Sequence, residues 1–205
     1  RLAHRWKIPS IYVTNIIRPS YAFSPLLVPG ERFTERYVKK STRIIVPDNP
    51  KPYTICEHNL GKLDDMRVQE KVEFAGSFVD MTPTKGREEH IFAPISGPLG
   101  TRAKLTRVLI PVLRKLTTRC IISLGQPGSK IMKKAGNCEI HAWLTPEERL
   151  GFMANAKLVV FSGGHATCFE TIKHCKPSII VPTQPEQTGN GRKLQELNCT
   201  IVAKN

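Results

Sequence analysis

The sequence lacks the residue patterns of several common classes of protein. None of its six cysteines forms a Cys-x-x-Cys pair, and no set of cysteines and histidines has the spacing of a zinc site. No apolar run approaches the roughly 18 residues that a membrane-spanning helix needs. No Asp-x-Asp motif is present to hold a divalent ion. These absences argue against a zinc domain, a membrane span and a metal site, and the cysteine usage favours the reducing cytosol.

Acidic residues are scarce in the second half of the chain. Residues 1–90 carry 15 basic and 11 acidic side chains, whereas residues 91–205 carry 16 and 6. No acidic residue lies between Glu89 and Glu139. That interval holds Arg102, Lys104, Arg107, Arg114, Lys115, Arg119, Lys130, Lys133 and Lys134. A basic surface of this kind attracts anionic lipid headgroups, at roughly 1 kcal/mol per charge, or nucleic acid, and it is also compatible with a solvated face that has no partner.

The distribution of apolar segments predicts an α/β protein with two lobes. Short apolar runs at 8–14, 43–47 and 72–75 predict strands separated by helices, and a second alternation of strands and helices follows residue 90. A polar stretch with proline and glycine separates the two patterns. We therefore expect a first Rossmann-like lobe at 1–80, a linker at 81–90 and a second Rossmann-like lobe at 91–205, each with a parallel sheet.

The most informative segment is 157–193. A buried strand at 158–161 leads into Gly163 and Gly164 and then into a helix, an arrangement that presents backbone N–H groups and a positive helix end to a diphosphate. Thr167 and Glu170 are three residues apart and share a face of that helix. A hydroxyl could then contact a phosphate while a carboxylate accepts hydrogen bonds from the vicinal hydroxyls of a ribose.

A second strand in this segment directs another polar loop toward the same place. The apolar run 178–181 is typical of a strand buried in a parallel sheet, and a proline-flanked loop follows it. That loop carries Gln184, Glu186, Gln187 and Asn190. Because ligands of open parallel sheets bind beyond the carboxyl ends of the strands, we expect both loops to open on one crevice.

Two further loops fit this crevice. Residues 91–95 predict a strand, 96–100 a tight loop and 101–116 a helix. Thr145, Pro146 and Glu148 predict a helix that begins with a capping box.

The order of these segments resembles a known family. The strings IPSIYVTN, STRIIVPD, VEFAGSF, IFAPISGPLGTR and CIISLGQPG, followed by the segment 157–193, are similar in order and approximate spacing to the strands and loops of glycosyltransferase family 28. The resemblance covers nearly the whole chain and is strongest to the C-terminal domain of that family. It implies the GT-B architecture of two Rossmann-like lobes, with the first lobe incomplete.

The resemblance also implies roles for individual residues. Gly163 and Gly164 would approach the diphosphate of a nucleotide sugar, Thr167 would support it, and Glu170 would hold the ribose. Glu186 and Gln187 would contact the sugar, and Asn190 matches the family's Asn at the start of the next helix. The loop with Gly97, Gly100 and Thr101 would lie at the donor phosphates and the transferred sugar. Trp143 or Leu144, just before the next helix, would hold the base. From its position in the glycine loop, His165 is a further candidate for a hydrogen bond to a phosphate or a sugar hydroxyl.

The function implied by the resemblance is transfer of a sugar from a nucleotide diphosphate sugar, with UDP as the nucleotide, to a hydroxyl acceptor that is lipid-linked. The residues themselves leave GDP or another base open. The enzyme would need neither metal nor cofactor and would act in the cytoplasm, at the inner face of the membrane, through the basic segment 102–134, without nucleic acid as a partner. The short first lobe leads us to expect a piece of a longer protein or a split enzyme with a partner chain. The catalytic residues are then unknown, since the general base would lie in a missing N-terminal segment.

Three other interpretations remain open at this stage. A nucleotide-sugar epimerase shares the GT-B fold and a similar donor pocket. A non-catalytic subunit could bind the donor alone. A nucleic-acid-binding protein would account for the charge but would leave Glu170 and the Glu-Gln-x-x-Asn loop without a purpose.

Overall fold

The computed structural model describes residues 2–18, 30, 33, 35–64, 66–80, 82 and 86–203. The chain divides into two compact units, Arg1–Asp80 and Met81–Asn205. The expected linker, 81–90, falls partly outside the described residues, which omit 81 and 83–85, and its last residue already begins a strand. The linker therefore stays a prediction.

The first unit contains a three-stranded parallel sheet. Its strands are β1 (Ile11–Val13), β2 (Arg43–Val46) and β3 (Val72–Phe74), in the order β1-β2-β3. Residues 35–38 are helical, and the other helical segments are α1 (Leu2–Arg5), α2 (Glu57–Leu60) and the 3-10 turn Gln69–Lys71. The strands lie where the apolar runs predict them, although each is shorter than its run.

Alternation along β2 builds the core of the first unit. Ile44 and Val46 are fully buried and face the same side, because successive side chains of a strand point to opposite faces. Beyond the end of β2, the buried carboxylate of Asp48 accepts hydrogen bonds from the backbone N–H groups of Ile55 and Cys56, both at 2.9 Å. This carboxylate therefore holds the loop that leads into α2.

The second unit contains a seven-stranded sheet in the order β10-β9-β8-β4-β5-β7-β6. The strands are β4 (His90–Pro94), β5 (Cys120–Ser123), β6 (Met132–Ala135), β7 (Cys138–His141), β8 (Ala156–Phe161), β9 (Ser178–Ile180) and β10 (Thr200–Val202). Neighbouring strands are parallel except for β6, which pairs antiparallel with β7 at one edge. The prediction of an α/β fold with parallel sheets is confirmed.

Four helices of the second unit follow strands and connect them. They are α3 (Leu99–Leu113), α4 (Pro146–Ala154), α5 (His165–Lys173) and α6 (Pro185–Glu196). The predicted capping box is present: Thr145 accepts a hydrogen bond from the backbone N–H of Glu148, whose carboxylate accepts one from the N–H of Thr145. The start of α4 is thus determined by local sequence.

The boundaries of α3 differ from the predicted helix at 101–116. The helix begins at Leu99, so Gly100 lies in its first turn and not in the preceding loop, and it ends at Leu113. The side-chain amide of Asn137 donates to the carbonyl groups of Leu113 and Thr118, at 3.0 and 2.7 Å. A side chain from a distant turn therefore binds the last carbonyl of the helix, which no local pattern indicates.

The core of the second unit lies around β4 and β5, whose residues are all buried. Leu105, Leu109 and Leu113, spaced four residues apart on α3, pack against this sheet. His90, at the start of β4, bonds to the carbonyl of Phe152 at 3.0 Å, and burial lowers the pKa of its imidazole. The centre of the sheet is therefore an apolar layer, and it supports the loops at the ends of its strands.

The six cysteines are all free. Burial raises the pKa of the Cys120 thiol to about 11 and raises that of Cys138 as well, so these two groups are protonated and unreactive at neutral pH. Cys168 is buried in the core, whereas Cys175 is exposed in the turn after α5. In the part of the chain that the structure describes, no helix is long and apolar enough to cross a membrane.

Candidate functional site

The strand order of the second unit places a topological switch at β4. From β4 the chain runs outward through β5 to β7, and then returns to the other side of β4 to form β8, β9 and β10. The loops after β4 and β8 therefore diverge at the carboxyl edge of the sheet, which is where open α/β sheets bind ligands. Gly97 and Gly163 lie in these two loops, and both have positive φ, 101° and 92°.

The loops after β8 and β9 meet at this edge, as predicted. The buried amide of Asn190, on α6, donates to the carbonyl of Gly163 at 3.0 Å. A Cβ atom at Gly163 would lie 2.9 Å from the carbonyl oxygen of Gln187 and 2.9 Å from Cγ2 of Ile180. The two segments are thus in direct contact at Gly163, and their opening on one crevice stays a prediction.

A third loop joins the same edge. The side-chain amide of Gln184, at the start of α6, donates to the hydroxyl of Thr101 on α3 at 3.2 Å. Next to Thr101, the guanidinium of Arg102 donates to the carbonyl of Gly125, in the loop after β5, and its Nε is buried without a hydrogen-bond partner among the described residues. Thr101, expected near the donor phosphates, therefore lies beside the end of the loop after β9, and a Cβ built at Gly97 would lie 3.6 Å from Cγ2 of Thr101.

The first turn of α5 carries the predicted phosphate-binding residues. Gly164 occupies the N-cap position with extended backbone, φ −62° and ψ 138°, and its carbonyl accepts from the N–H of Cys168. The first N–H groups of a helix have no partner within it and attract anions. The ring of His165 packs edge-on against Phe169, with the ring centroids 5.0 Å apart. This contact orients His165, whose contact with a ligand stays a prediction.

Thr167, in the first turn of α5, and Glu170, three residues later, share a face, as their spacing predicts. Arg149 of α4 binds both. Its Nε donates to Oε1 of Glu170 at 3.3 Å, and its Nη2 donates to Oε2 of Glu170 at 2.5 Å. Nη2 also donates to the hydroxyl of Thr167 at 3.1 Å. Sequence reasoning missed Arg149, because its partners lie 18 and 21 residues away on another helix and no periodicity connects them.

The loop after β9 uses its polar side chains mainly for its own structure. The side-chain Oε1 of Gln187 accepts hydrogen bonds from the hydroxyl and N–H of Thr183 and from the N–H of Gln184, between 2.9 and 3.2 Å. Asn190 is fully buried, and Glu186 is half-buried. Gln187 thus holds the loop after β9 in shape, whereas Asn190 binds the loop after β8, and a direct contact of either with a sugar stays a prediction.

The two candidates for base recognition differ in exposure. Trp143 is 43% exposed, whereas Leu144 is only 4% exposed and belongs to the core. Both precede α4, the helix that carries Arg149. Of the two side chains, only that of Trp143 is therefore available to a ligand at the surface.

A cavity of about 630 Å³ lies at the opposite edge of the sheet. It is lined by the amino ends of β9 and β10, with Ile172, Cys175 and Cys199 among its walls. No residue expected to bind a donor lines it. We therefore assign the candidate site to the carboxyl edge, on the strength of the strand order and the contacts between loops.

Comparisons with known proteins agree with this assignment of fold. Residues 146–205 match the model of the glycosyltransferase family 28 C-terminal domain. An uncharacterized glycosyltransferase of Methanosarcina acetivorans is 25% identical over 187 residues, which are 84% of this chain and 45% of that protein. The chain thus spans about half the length of the curated relatives it matches.

Solved glycosyltransferases share the fold across nearly the whole chain. The crystal structure of LpCGTa in complex with UDP matches with a TM-score of 0.67 and 12% identity, covering 98% of this chain and 56% of that one. The spinosyn rhamnosyltransferase SpnG complexed with thymidine diphosphate matches with a TM-score of 0.57 and 17% identity, covering 98% and 55%.

The chain therefore has the GT-B fold. Its residues 146–205 match the C-terminal domain of glycosyltransferase family 28, and the resemblance seen in the sequence is confirmed.

The position of Gly164 yields a prediction that separates ligand binding from folding. No atom lies within 4 Å of a Cβ built at Gly164, and its φ suits alanine. We expect Gly164→Ala to change the free energy of unfolding by less than about 1 kcal/mol. The added methyl group would obstruct a phosphate that approaches the backbone, so nucleotide affinity should fall about tenfold or more in calorimetric titration. Unchanged affinity would place the phosphate elsewhere.

Proposed function

We propose that the protein transfers a sugar from a UDP-linked donor to a hydroxyl acceptor and that the carboxyl edge of its second unit binds the donor. The observation that carries this proposal is the meeting of three loops at the topological switch of the sheet. These loops lie beside α5, which follows two glycines and presents Thr167 and Glu170 on one face. UDP is preferred because of the family resemblance. Among proteins of similar fold, LpCGTa is bound to UDP and SpnG to thymidine diphosphate.

The diphosphate would lie at the start of α5. The leaving nucleotide gains negative charge as the bond to the sugar breaks, and backbone N–H groups fixed at a helix N-terminus stabilise that charge without having to reorient. Arg102 adds a fixed positive charge on the neighbouring helix, where its hydrogen bond to Gly125 holds the side chain. The site thereby favours the departing diphosphate over the intact donor.

The nucleoside would extend from α5 toward α4. Glu170 would accept hydrogen bonds from the ribose hydroxyls, and the exposed ring of Trp143 would lie against the base. The transferred sugar would lie on the other side of the diphosphate, near Thr101 and Glu186. Binding at both ends fixes the anomeric carbon for attack by the acceptor.

The proposal includes the setting of the reaction. The absence of an Asp-x-Asp motif favours transfer without metal or cofactor, with the helix end and Arg102 in place of a cation. Of the nine basic residues between Glu89 and Glu139, all except Arg102 are exposed, which supports contact with an anionic membrane surface on the cytoplasmic side. A lipid-linked acceptor and a partner chain that supplies the general base complete the proposed reaction.

Ligand-dependent stability tests the donor site. A nucleotide present at a hundred times its dissociation constant raises the free energy of unfolding by about 2.7 kcal/mol. We expect UDP to produce a stabilisation of this size in denaturant unfolding, and cytidine, which lacks phosphates, to produce none at equal concentration. No stabilisation by UDP, GDP or thymidine diphosphate would exclude the proposed site.

Turnover assays on the protein separate the remaining functions. Release of UDP from a UDP-sugar only when a lipid-linked acceptor is added supports the transferase. Interconversion of the sugar without an acceptor would instead indicate an epimerase. Donor binding without either reaction would indicate a subunit that binds but does not catalyse, and retention on DNA that falls steeply with salt would indicate a nucleic-acid partner.

A further inference from the structure

Arg149 is the strongest feature of the candidate site that the family resemblance does not assign. The capping box at Thr145 sets the start of α4, and the N–H of Arg149 bonds to the carbonyl of Thr145 at 2.9 Å. The side chain then extends to α5 and reaches both Thr167 and Glu170. Three hydrogen bonds from one guanidinium thus join the two helices at the expected nucleoside position.

The environment of the pair argues against a role in stability alone. The side chains of Arg149 and Glu170 are only 24% and 16% exposed. Partial burial costs both charges hydration, and this cost offsets much of their mutual attraction. A pair of this kind therefore contributes little net stability compared with apolar side chains of the same size. Its fork-shaped geometry, however, fixes the orientation of the carboxylate closely.

The hydrogen bonds of Glu170 show which acceptor positions of its carboxylate remain available to a ligand. Each carboxylate oxygen can accept about two hydrogen bonds, and Arg149 uses one on each oxygen. Among the described residues, one acceptor position therefore remains on each oxygen, side by side on a fixed plane. Two neighbouring hydroxyl groups, as on a ribose, match this arrangement, whereas a 2′-deoxyribose offers only one hydroxyl.

Thr167 is oriented in the same way. Its hydroxyl oxygen accepts a hydrogen bond from Arg149, so its own proton is directed to another acceptor. A phosphate oxygen is an acceptor only, and it fits this position at the first turn of α5. Arg149 thereby sets the hydrogen-bonding direction of both side chains.

We propose that Arg149 is a positioning residue of the donor site, which holds Glu170 and Thr167 in the orientation that selects a ribonucleotide diphosphate over its 2′-deoxy counterpart. This role rests on the proposed function, since it requires a nucleotide at the carboxyl edge. Arg149 itself contacts the two side chains and acts on the nucleotide through them.

The test compares UDP with 2′-deoxy-UDP by calorimetric titration of the protein, its Arg149→Lys variant and its Arg192→Lys variant. Lysine keeps the charge but lacks the fork. Arg192 is the matched control, because it forms an exposed pair with Glu196 on α6 at 3.3 Å. We expect the parent protein to prefer UDP by about tenfold or more, the value of one hydrogen bond to a charged group. The ratio of the affinity for UDP to that for 2′-deoxy-UDP should fall toward one in Arg149→Lys and remain about tenfold or more in Arg192→Lys.

Each outcome distinguishes this role from the alternatives. If Arg149 only joins the helices, Arg149→Lys would lower the unfolding midpoint while the preference for UDP stays unchanged, which overturns the proposal. If the parent protein binds both nucleotides equally, the proposed role of Arg149 is also overturned, but the donor site is still supported. A parent protein that binds neither rejects the donor site and this role together. Should Arg149→Lys not fold, Arg149→Gln, whose amide still donates to the carboxylate, takes its place with the same expectations.

Discussion

Replacing Glu170 by glutamine should reduce the affinity for UDP about a hundredfold or more. The substitution preserves the shape of the side chain but removes the charge that strengthens its hydrogen bonds to two hydroxyls, each worth about 1.5–3 kcal/mol when the acceptor is charged. At the concentration that stabilises the parent protein by about 2.7 kcal/mol, the variant should gain less than about 0.5 kcal/mol. Unfolding by denaturant with and without UDP measures both values.

The control for this prediction is Glu196→Gln, the same chemical change on the exposed surface of α6, where Glu196 pairs with Arg192. Exposed pairs of this kind contribute little to stability, so the variant should respond to UDP as the parent protein does. If Glu170→Gln still binds UDP as tightly as the parent, the ribose does not lie on Glu170. An equal loss in both variants would show that the effect is not specific to the site.

The second large effect is expected at Gly163. Its φ of 92° is unfavourable for any residue with a Cβ, and an added Cβ would lie 2.9 Å from both Gln187 and Ile180. The left-handed backbone costs about 1–2 kcal/mol and the forced contact about 1–3 kcal/mol more. We therefore expect Gly163→Ala to lower the free energy of unfolding by about 2–5 kcal/mol and to displace the loop from the hydrogen bond with Asn190.

Gly128 offers a control that separates the two causes. It has a φ of 81°, but no atom lies within 4 Å of an added Cβ. Gly128→Ala should therefore show only the backbone part, about 1–2 kcal/mol. Denaturant unfolding of the two variants measures both losses in the free energy of unfolding. Equal losses would mean that the loops after β8 and β9 adjust to the methyl group and are not in tight contact.

Much of the second unit could be predicted from local pattern. The strands β4, β8 and β9 overlap the apolar runs at 91–95, 158–161 and 178–181, because interior strands of a parallel sheet are largely buried on both faces. The capping box of α4 was predicted to the residue, since all its hydrogen bonds lie within four positions. Such features depend on neighbouring residues and are therefore visible in the sequence.

Other features were predicted poorly for a physical reason. The β6–β7 hairpin was missed, since β6 reads Met-Lys-Lys-Ala and is largely exposed at the edge of the sheet, where burial imposes no apolar pattern. The use of Gln187 in holding residues 183 and 184 was also missed: its side-chain Oε1 accepts hydrogen bonds from Thr183 and Gln184, while its contact with a sugar stays a prediction. A polar residue in a loop has the same appearance in the sequence whether it binds a ligand or the backbone beside it.

The order of strands and helices, the glycine pair before α5 and the common face of Thr167 and Glu170 were determined by the sequence alone, because periodicity and backbone freedom act over a few residues. The tertiary structure decided which distant groups meet. It joins Gln184 to Thr101, Asn190 to Gly163 and Arg149 to Glu170. These contacts depend on the order of strands in the sheet, which is set by burial across the whole unit and has no local signature.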